Sequence, residues 1–330
     1  MGYTAIIILN YNNYSDTINC IDSVLEYNTA KIKFFVVDNG SPDRRCVPIL
    51  DRNFSNKFSN TYLRINDGDK VTEKFPLMTF IVSKTNDGYA RGNNKALKYI
   101  HIDNEIKYVL ILNNDILFIQ DIIPELILHL HTLRDAAIVS PLLLKRDGKT
   151  IDYNCARKNV SMTDIIVQNL RTTVRMRWKS NKKFFILKMD PTKLDTVCVE
   201  IELPSGSCML IEKDLFFRIN CFDPNTFLYY EENILYKKVS IVNKQNYLIP
   251  DLKCIHLGAQ STSKRPKSFH AFMEANRSQI YYVKKYSGAN IFYKFIYVIS
   301  LGLSCLSRFI FAILKRYLSV QNRHTTKASS

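Results

Sequence analysis

Apolar residues in this chain come in short blocks, each stopped by a polar cluster, and the blocks switch between two periods. Residues 5–9 form a β-branched run that ends at Asn10-Tyr11-Asn12-Asn13, and from Tyr14 the apolar positions Ile18, Ile21, Val24 and Leu25 take up helical spacing. A continuous short run reads as a buried strand and a repeat of about 3.6 as a helix, so this stretch predicts strand, polar loop, helix. Residues 33–37 repeat the strand pattern and stop at Asp38-Asn39-Gly40-Ser41-Pro42-Asp43. Strand, helix, strand in this order predicts a parallel pair. Residues 51–76 are polar and read as irregular, with Asn66-Asp67-Gly68-Asp69 as a loop tip. The pattern then predicts a strand over 78–82, a loop over 88–94, a helix over 94–102 and a fourth strand over 108–112. A helix over 125–133 and a strand over 137–144 follow. Two strand pieces at 200–203 and 208–211 flank Pro204-Ser205-Gly206-Ser207, and a helix covers 213–220. Each early strand ends in a polar loop. Ligands of open parallel sheets bind beyond the carboxyl ends of the strands, so these loops are expected to gather on one edge.

One block carries candidate chemistry. The apolar run from Leu110 stops at Asn113-Asn114-Asp115 and resumes at Ile116. Burying it as a strand leaves Asp115 at the exposed end, beside two amides and no Lys or Arg. A hard cation suits such a carboxylate, and a plain Asn-Asp turn suits the same letters without any ligand.

Composition narrows the class. With 330 residues, 46% of them hydrophobic, the chain can form one large domain or two modest ones. Lys and Arg number 46 against 30 acids, a net +16 that points to nucleic acid, an anionic membrane or phosphorylated substrates. The charge is uneven: from Lys264 to Ser330 there are twelve basic residues and one acid, a net +11. Within that tail, residues 291–314 are nearly all apolar or aromatic, broken by Lys294 and Arg308 and closed by Lys315-Arg316. This predicts interfacial anchoring on an anionic membrane, against a buried C-terminal helix pair. Residues 171–188 hold seven basic residues and no acid, with Trp178, Phe184 and Phe185 interleaved. They read either as a mobile or lipid-facing insert or as a solvated charged face. The eight cysteines lack a Cys-x-x-Cys pair, which argues for reduced core thiols and against zinc or a disulfide framework. The first ten residues lack the basic start and long apolar run of a signal peptide, so the body is expected in the cytosol.

Taken in order, Asn10-Tyr11-Asn12, Val37-Asp38-Asn39-Gly40-Ser41, Asn86-Asp87-Gly88-Tyr89-Ala90-Arg91-Gly92-Asn93-Asn94, Leu112-Asn113-Asn114-Asp115, Gly206 to Ile211, Phe227 to Glu232 and His256-Leu257-Gly258 resemble the family 2 glycosyltransferases. The rhamnosyltransferase-like branch is the nearest in look, and the likeness runs from about residue 4 to about residue 286. The resemblance implies an α/β protein of GT-A fold: a mixed, mostly parallel sheet flanked by helices, with C-terminal membrane-associated helices. It divides the chain into a catalytic domain over 1–262 and a basic, hydrophobic tail over 263–330. The catalytic domain would comprise a nucleotide-binding half, 1–118, and an acceptor half, 119–262, that carries the basic insert 171–188.

The activity implied is inverting transfer of a sugar, with rhamnose suggested, from a UDP- or dTDP-sugar to a saccharide acceptor. That acceptor would be lipid-linked, in surface polysaccharide synthesis of O-antigen or capsule type, at the cytoplasmic face of the membrane. Asp38 matches the acid that accepts from the pyrimidine N3–H. Asp115 matches the acid that ligates Mg2+ or Mn2+ on the diphosphate, although Asn113 stands where many members carry a further acid. His256 matches a downstream histidine that completes the metal shell, and a nitrogen ligand favours Mn2+. Glu231 and Glu232 match the paired acids whose second member is the general base; Ile234 stands where many members have another acid. Asn10, Asn12, Asn86, Gly88, Arg91, Asn93, Asn94 and Asn114 fall on the nucleotide side. Gly88, Gly92, Asn93 and Asn94 are expected as a turn beneath the diphosphate, with Arg91 in reach of phosphate.

Other classes fit less of the chain. Gly88 and Gly92 do not form the Gly-x-Gly-x-x-Gly fingerprint of a dehydrogenase. A glycoside hydrolase needs carboxyl groups about 5 to 10 Å apart across a sugar, which adjacent glutamates do not supply. A nucleotide-sugar-binding homologue without catalysis is consistent with Asn113 and Ile234. A nucleic-acid-binding protein is consistent with the charge alone and predicts salt-sensitive binding; with the motifs in place, no nucleic-acid partner is expected.

Overall fold

The computed structural model describes residues 2–71, 74–174, 182–258 and 269–327. Strands β1 (Tyr3–Asn10) and β2 (Ile32–Asn39) are buried along almost their whole length. That is why they read as continuous apolar runs: parallel strands covered on both faces have no polar side to alternate with. Helix α1 (Tyr14–Tyr27) joins them and starts where the Asn13 side chain accepts from the Asp16 N–H. The chain continues through α2 (Cys46–Phe58), β3 (Tyr62–Asn66), β4 (Met78–Ser83), α3 (Gly88–Ile102), β5 (Ile106–Asn113), β6 (Ile116–Phe118), α4 (Ile123–Thr132) and β7 (Ala136–Lys145). Next come β8 (Ala156–Arg157), α5 (Met162–Thr173), α6 (Ile186–Met189), β9 (Val199–Ile201), β10 (Leu203–Pro204), β11 (Cys208–Glu212) and α7 (Lys213–Arg218). Helix α8 (Glu231–Ile241), β12 (Gln245–His256), α9 (Phe269–Lys285) and α10 (Ile291–Lys327) complete it.

The main sheet has the order β3-β4-β2-β1-β5-β11-β7-β12-β6, with β9 also paired to β12. The half from β3 to β5 is parallel throughout, whereas β11 runs antiparallel to both β5 and β7. Alternate residues of the central strands feed two cores. Ile6, Ile8, Phe34 and Val36 pack with α1, α2 and α4, while Ala5, Ile7, Phe35 and Val37 pack with α3, α7 and α8. The result is a three-layered α/β sandwich with a mixed sheet. From β1 the chain winds first toward β2, β4 and β3, then returns to place β5 on the other side of β1. The carboxyl ends of these strands share one edge, where the loops after β1 and β5 meet: Asn114 Nδ2 donates to the Asn13 carbonyl at 3.3 Å.

By contacts the chain falls into two units. Met1–Asn159 with Lys182–Gln279 form the first, and Val160–Asn181 with Ile280–Ser330 the second. This division differs from a cut at 262/263, because α5 groups with the tail. In the second unit α5 lies along α10, with Asn169 Nδ2 donating to Ser300 Oγ at 3.3 Å and Ser307 Oγ donating to the Thr173 carbonyl at 2.6 Å. Residues Ile291–Ile313 of α10 form a stretch of 23 residues long and apolar enough to cross a membrane, and most of it is exposed. That exposure runs against a buried C-terminal helix pair.

Three expectations are corrected. Residues 51–76 are not wholly irregular: α2 and β3 occupy much of them, because Cys46, Leu50, Phe54 and Phe58 recur at four-residue spacing and bury one face. Polar letters between them hid the period. Residues 88–94 are not a loop but the opening turns of α3, which starts six residues early because Gly88, at φ +80°, makes the turn into the helix. The insert 171–188 is not one segment. Residues 171–173 end α5, residues 175–181 including Trp178 lie outside the described residues, and Ile186 and Leu187 are buried in the first unit.

Candidate active site

The carboxyl ends of β1, β2, β4 and β5 present Asn10, Asp38-Asn39, Ser83 and Asn113 along one rim. Asp38 is buried, and its carboxylate is held by three donors: Ser41 N–H on Oδ1 at 3.0 Å, and Asn10 Nδ2 and Ser41 Oγ on Oδ2, both at 2.7 Å. A carboxylate offers about four lone-pair sites, so one remains, on Oδ1. Asn10 is fixed in turn by the Thr17 hydroxyl, and Asn114 Nδ2 donates to the same hydroxyl at 3.0 Å. Asn12, in a left-handed conformation at φ +57°, donates its N–H to Ser41 and accepts from Asp43 N–H. Asn10, Asp38 and Asn114 thus come together around Thr17, with Asn12 bracing the neighbouring loop.

The second wall is the start of α3. Asn39 Nδ2 donates to Asn86 Oδ1 and to the Gly88 carbonyl, each at 3.0 Å, and Gly88 N–H donates to Asn86 Oδ1. A Cβ at Gly88 would lie 2.0 Å from the Phe227 carbonyl oxygen, so this close approach requires glycine. Lys95, almost fully buried, ties the loop from inside: Nζ lies 2.6 Å from Asp87 and 3.4 Å from Asp67, and it donates to Ser83 Oγ. The Lys95 hydrogen bond holds the Asp87 carboxyl below its ordinary range. Arg91 Nε donates to the Pro224 carbonyl at 2.6 Å. A cavity of about 260 Å³ opens there, lined by Asn86, Asp87, Arg91, Thr226, Glu274 and Arg277 among others. Asn93 and Asn94 do not join this rim: their amides donate to the Tyr89 and Phe222 carbonyls inside the protein.

At the end of β5, Asp115 Oδ2 lies 3.4 Å from His256 Nε2, brought there because β6 pairs with the end of β12. His256 Nδ1 is 2.9 Å from Asp152 Oδ2. Burial opposes charge on the imidazole, but its hydrogen bonds to Asp115 and Asp152 outweigh that and raise its pKa to about 9. Among the described residues no group of three or more His, Cys, Asp or Glu side chains converges as a metal cage. The pair still fits a cation. Two donors at about 2.1 Å from one ion and at right angles are about 3 Å apart, close to the spacing here. An imidazole oriented by a carboxylate on its other nitrogen is the usual arrangement of a metal-bound histidine.

The paired glutamates open α8. Tyr229 and Tyr230 before them both have left-handed backbones, φ +73° and +68°, a conformation that costs a non-glycine residue about 1–3 kcal/mol. The segment is held by Ser278 Oγ donating to the Leu228 carbonyl and Gln279 Nε2 donating to Tyr230 Oη. The turn parts the two acids. Glu231 is buried, Oε1 has no hydrogen-bond partner, and burial reinforced by the Glu232 charge pushes its pKa up to about 8. Glu232 is partly exposed and held at one oxygen: Arg157 Nη2 lies 3.1 Å from Oε1, and Gly206 N–H donates to Oε1 at 3.2 Å. Oε2 has no hydrogen-bond partner among the described residues. Gly206 is gripped from the other side by Tyr89 Oη donating to its carbonyl at 2.6 Å, and Asn113 N–H donates to the Ser207 carbonyl at 2.8 Å. One hydrogen-bonded path therefore links the end of β5, the 205–207 turn and Glu232. Ile234 sits in the core, where an acid would be unpaired.

Four residues of this site escape a linear reading. Arg157, on a two-residue strand paired with β10, reaches Glu232, and Asp152 reaches His256 across more than a hundred positions. Neither has a local pattern. Tyr89 and Lys95 follow the Gly88 turn, and their only signal is a phenol and an amine on the covered side of a helix.

Such a mixed α/β sheet, with a buried acid after one strand, a carboxylate–imidazole pair after another and paired glutamates opening a later helix, has GT-A architecture. The sequence profile of Glycosyl transferase family 2 matches residues 5–216, and the chain belongs to that family. It is 28% identical over 180 residues to rhamnosyltransferase WbbL of Escherichia coli (strain K12), covering 51% of this chain and 60% of the relative. It is 26% identical over 153 residues to the low-salt glycan biosynthesis hexosyltransferase Agl10 of Haloferax volcanii, covering 46% of this chain and 43% of that one. The matched part is thus less than two thirds of either relative. The fold resembles a crystal structure of GalNAc-T7 with UDP, GalNAc and Mn2+ at a TM-score of 0.56 and 12% identity, over 84% of this chain and 47% of the other.

Proposed function

We propose that this protein transfers a sugar, rhamnose or another hexose, from a UDP- or dTDP-linked donor to a saccharide acceptor, inverting the anomeric centre. The observation that carries the reading is that the family match over residues 5–216 takes in Asp38, Asp115 and Gly206, and the fold brings His256 against Asp115 and Glu232 against Gly206. The free lone pair on Asp38 accepts the N3–H that uracil and thymine share. Asp115 and His256 would hold Mn2+ or Mg2+, with the donor's diphosphate filling out the shell. When bound, the ion offsets the negative charge of the departing nucleoside diphosphate. Arg91, on the first turn of α3, stands beside the Asn86–Gly88 loop, where the donor's phosphates would lie.

Glu232 is the general base: Arg157 and Gly206 fix Oε1, so Oε2 receives the acceptor hydroxyl proton as that oxygen attacks. Glu231, held neutral near pH 7 by burial, keeps a second negative charge away from the base. The relatives named for rhamnosyl and glycan-biosynthesis work favour an acceptor in surface polysaccharide assembly. A lipid-linked acceptor, the cytoplasmic face of the membrane and an anionic lipid surface as partner agree with the basic, apolar tail.

The test is thermal melting with Mn2+ and either UDP or dTDP, followed by transfer assays with the matching sugar conjugates. Metal-dependent protection by one nucleotide, with transfer from its conjugates, is expected. Protection without transfer to any saccharide would leave only a binding homologue.

A further inference from the structure

Helix α10 has its polarity turned inside out. Phe292, Phe295, Val298, Ile299, Leu306 and Phe309 are each 48–64% exposed. At about 100° per residue they share one arc of about 120°, together with Ile310 and Ile313. The opposite side mixes serines with aromatic rings, yet its serines are covered: Ser300 and Ser304 are 1% exposed and Tyr297 beside them is buried, and Ser300 and Ser307 are hydrogen-bonded to α5. A helix dissolved in water buries its apolar stripe and shows its serines. A contiguous exposed face of this size on a soluble surface marks a contact, since such patches seldom exceed a few hundred Å².

The charges select the occupant. Twelve basic residues against one acid lie between Lys264 and Ser330, and they flank the apolar stretch on both sides: Lys284 and Lys285 before it, Lys315, Arg316, Arg323 and Lys327 after it. Within the stretch, the same angular count puts Lys294 and Arg308 outside the apolar arc. Length alone allows a crossing, because 23 residues reach about 35 Å. A crossing would carry one basic flank away from the anionic leaflet that attracts the other. Lying flat keeps both flanks on that leaflet and puts the arc in its acyl boundary.

We propose that α5 and α10 form an in-plane anchor, with the arc of α10 seated in one leaflet of an anionic bilayer and α5 covering its serine-bearing back. This deepens the membrane part of the function proposed above and does not depend on the transfer chemistry.

The experiment is flotation of the full chain with vesicles of phosphatidylglycerol and phosphatidylethanolamine, against phosphatidylcholine vesicles. Binding is expected to the anionic vesicles, to weaken in high salt, and to fall at least about tenfold in the combined variant Phe295→Ser, Leu306→Ser, Phe309→Ser. Leu in the same three positions should keep binding, which separates a lost membrane contact from a lost fold; serine variants that float as well as the parent overturn the proposal. A tag placed after Ser330 should be cleaved by protease in inside-out membrane vesicles and spared in right-side-out ones. The reverse result would mean a crossing helix. A soluble dimer that the serine variants dissociate, without vesicle binding, would mean that a second copy covers the arc. Normal flotation with no sugar transfer would count against the enzymatic reading and leave the anchor standing.

Discussion

Glu231→Gln tests the separation of the two glutamates through stability alone, with no need of a substrate. Burial lifts the Glu231 pKa from 4.5 to about 8, and the adjacent Glu232 charge adds to it. The folded state therefore holds this proton more tightly than the unfolded chain does. The associated stability is fully present below pH 4.5 and is lost as pH rises through about 8. Each pH unit in that window costs about 1.4 kcal/mol, or about 5 kcal/mol across it, and water drawn in on ionisation lowers this ceiling. Glutamine mimics the neutral acid and abolishes the slope. Urea unfolding of both proteins at pH 5, 7 and 9 gives the difference curve, in which every other titrating group cancels. The variant should gain on the parent by about 2–4 kcal/mol between pH 5 and pH 9. A difference that stays constant within about 1 kcal/mol would mean that Glu231 ionises as freely in the fold as in water, and the division of labour with Glu232 would fall.

Other perturbations probe the rest of the rim. Glu232→Gln should lower turnover by about 10²- to 10⁴-fold while leaving nucleotide-dependent protection in melting assays intact; a variant that still turns over at the parent rate removes Glu232 from the base role. Asp152→Asn, which loosens His256 without touching a ligand, should weaken Mn2+ affinity by about 10- to 100-fold by calorimetry. Gly88→Ala puts a Cβ against the Phe227 carbonyl at a left-handed φ, and should cost more than about 1 kcal/mol by denaturation. Lys95→Met should raise the nucleotide-sugar KM with little change in kcat, because its ties to Asp87, Asp67 and Ser83 hold the loop and not the reacting atoms.

Legibility from sequence followed burial. Strands β1, β2, β4, β5 and β7 were plain because sequestering both faces of a strand demands an unbroken apolar run. Helix α2 was missed because it buries only one residue in four and dresses the remainder in polar letters. The start of α3 was misread because glycine and asparagine favour loops in isolation, whereas here the carbonyl of Phe227 and the packing of Gly92 against Leu9 impose the helix.

The sequence by itself determined the inventory: a parallel α/β half, polar clusters after its strands, family motifs in fixed order, and a basic, apolar tail. Those properties are local, since each residue's burial or charge is written in its own letter and its near neighbours. Only the tertiary structure decided the pairings, setting Asp152 behind His256, Arg157 and Gly206 on Glu232, Lys95 under the α3 loop, and α5 on the serine-bearing back of α10. Such contacts join residues from 8 to more than 130 positions apart. Their distances and desolvation, which set proton affinity and direct a lone pair, exist only once the chain has folded.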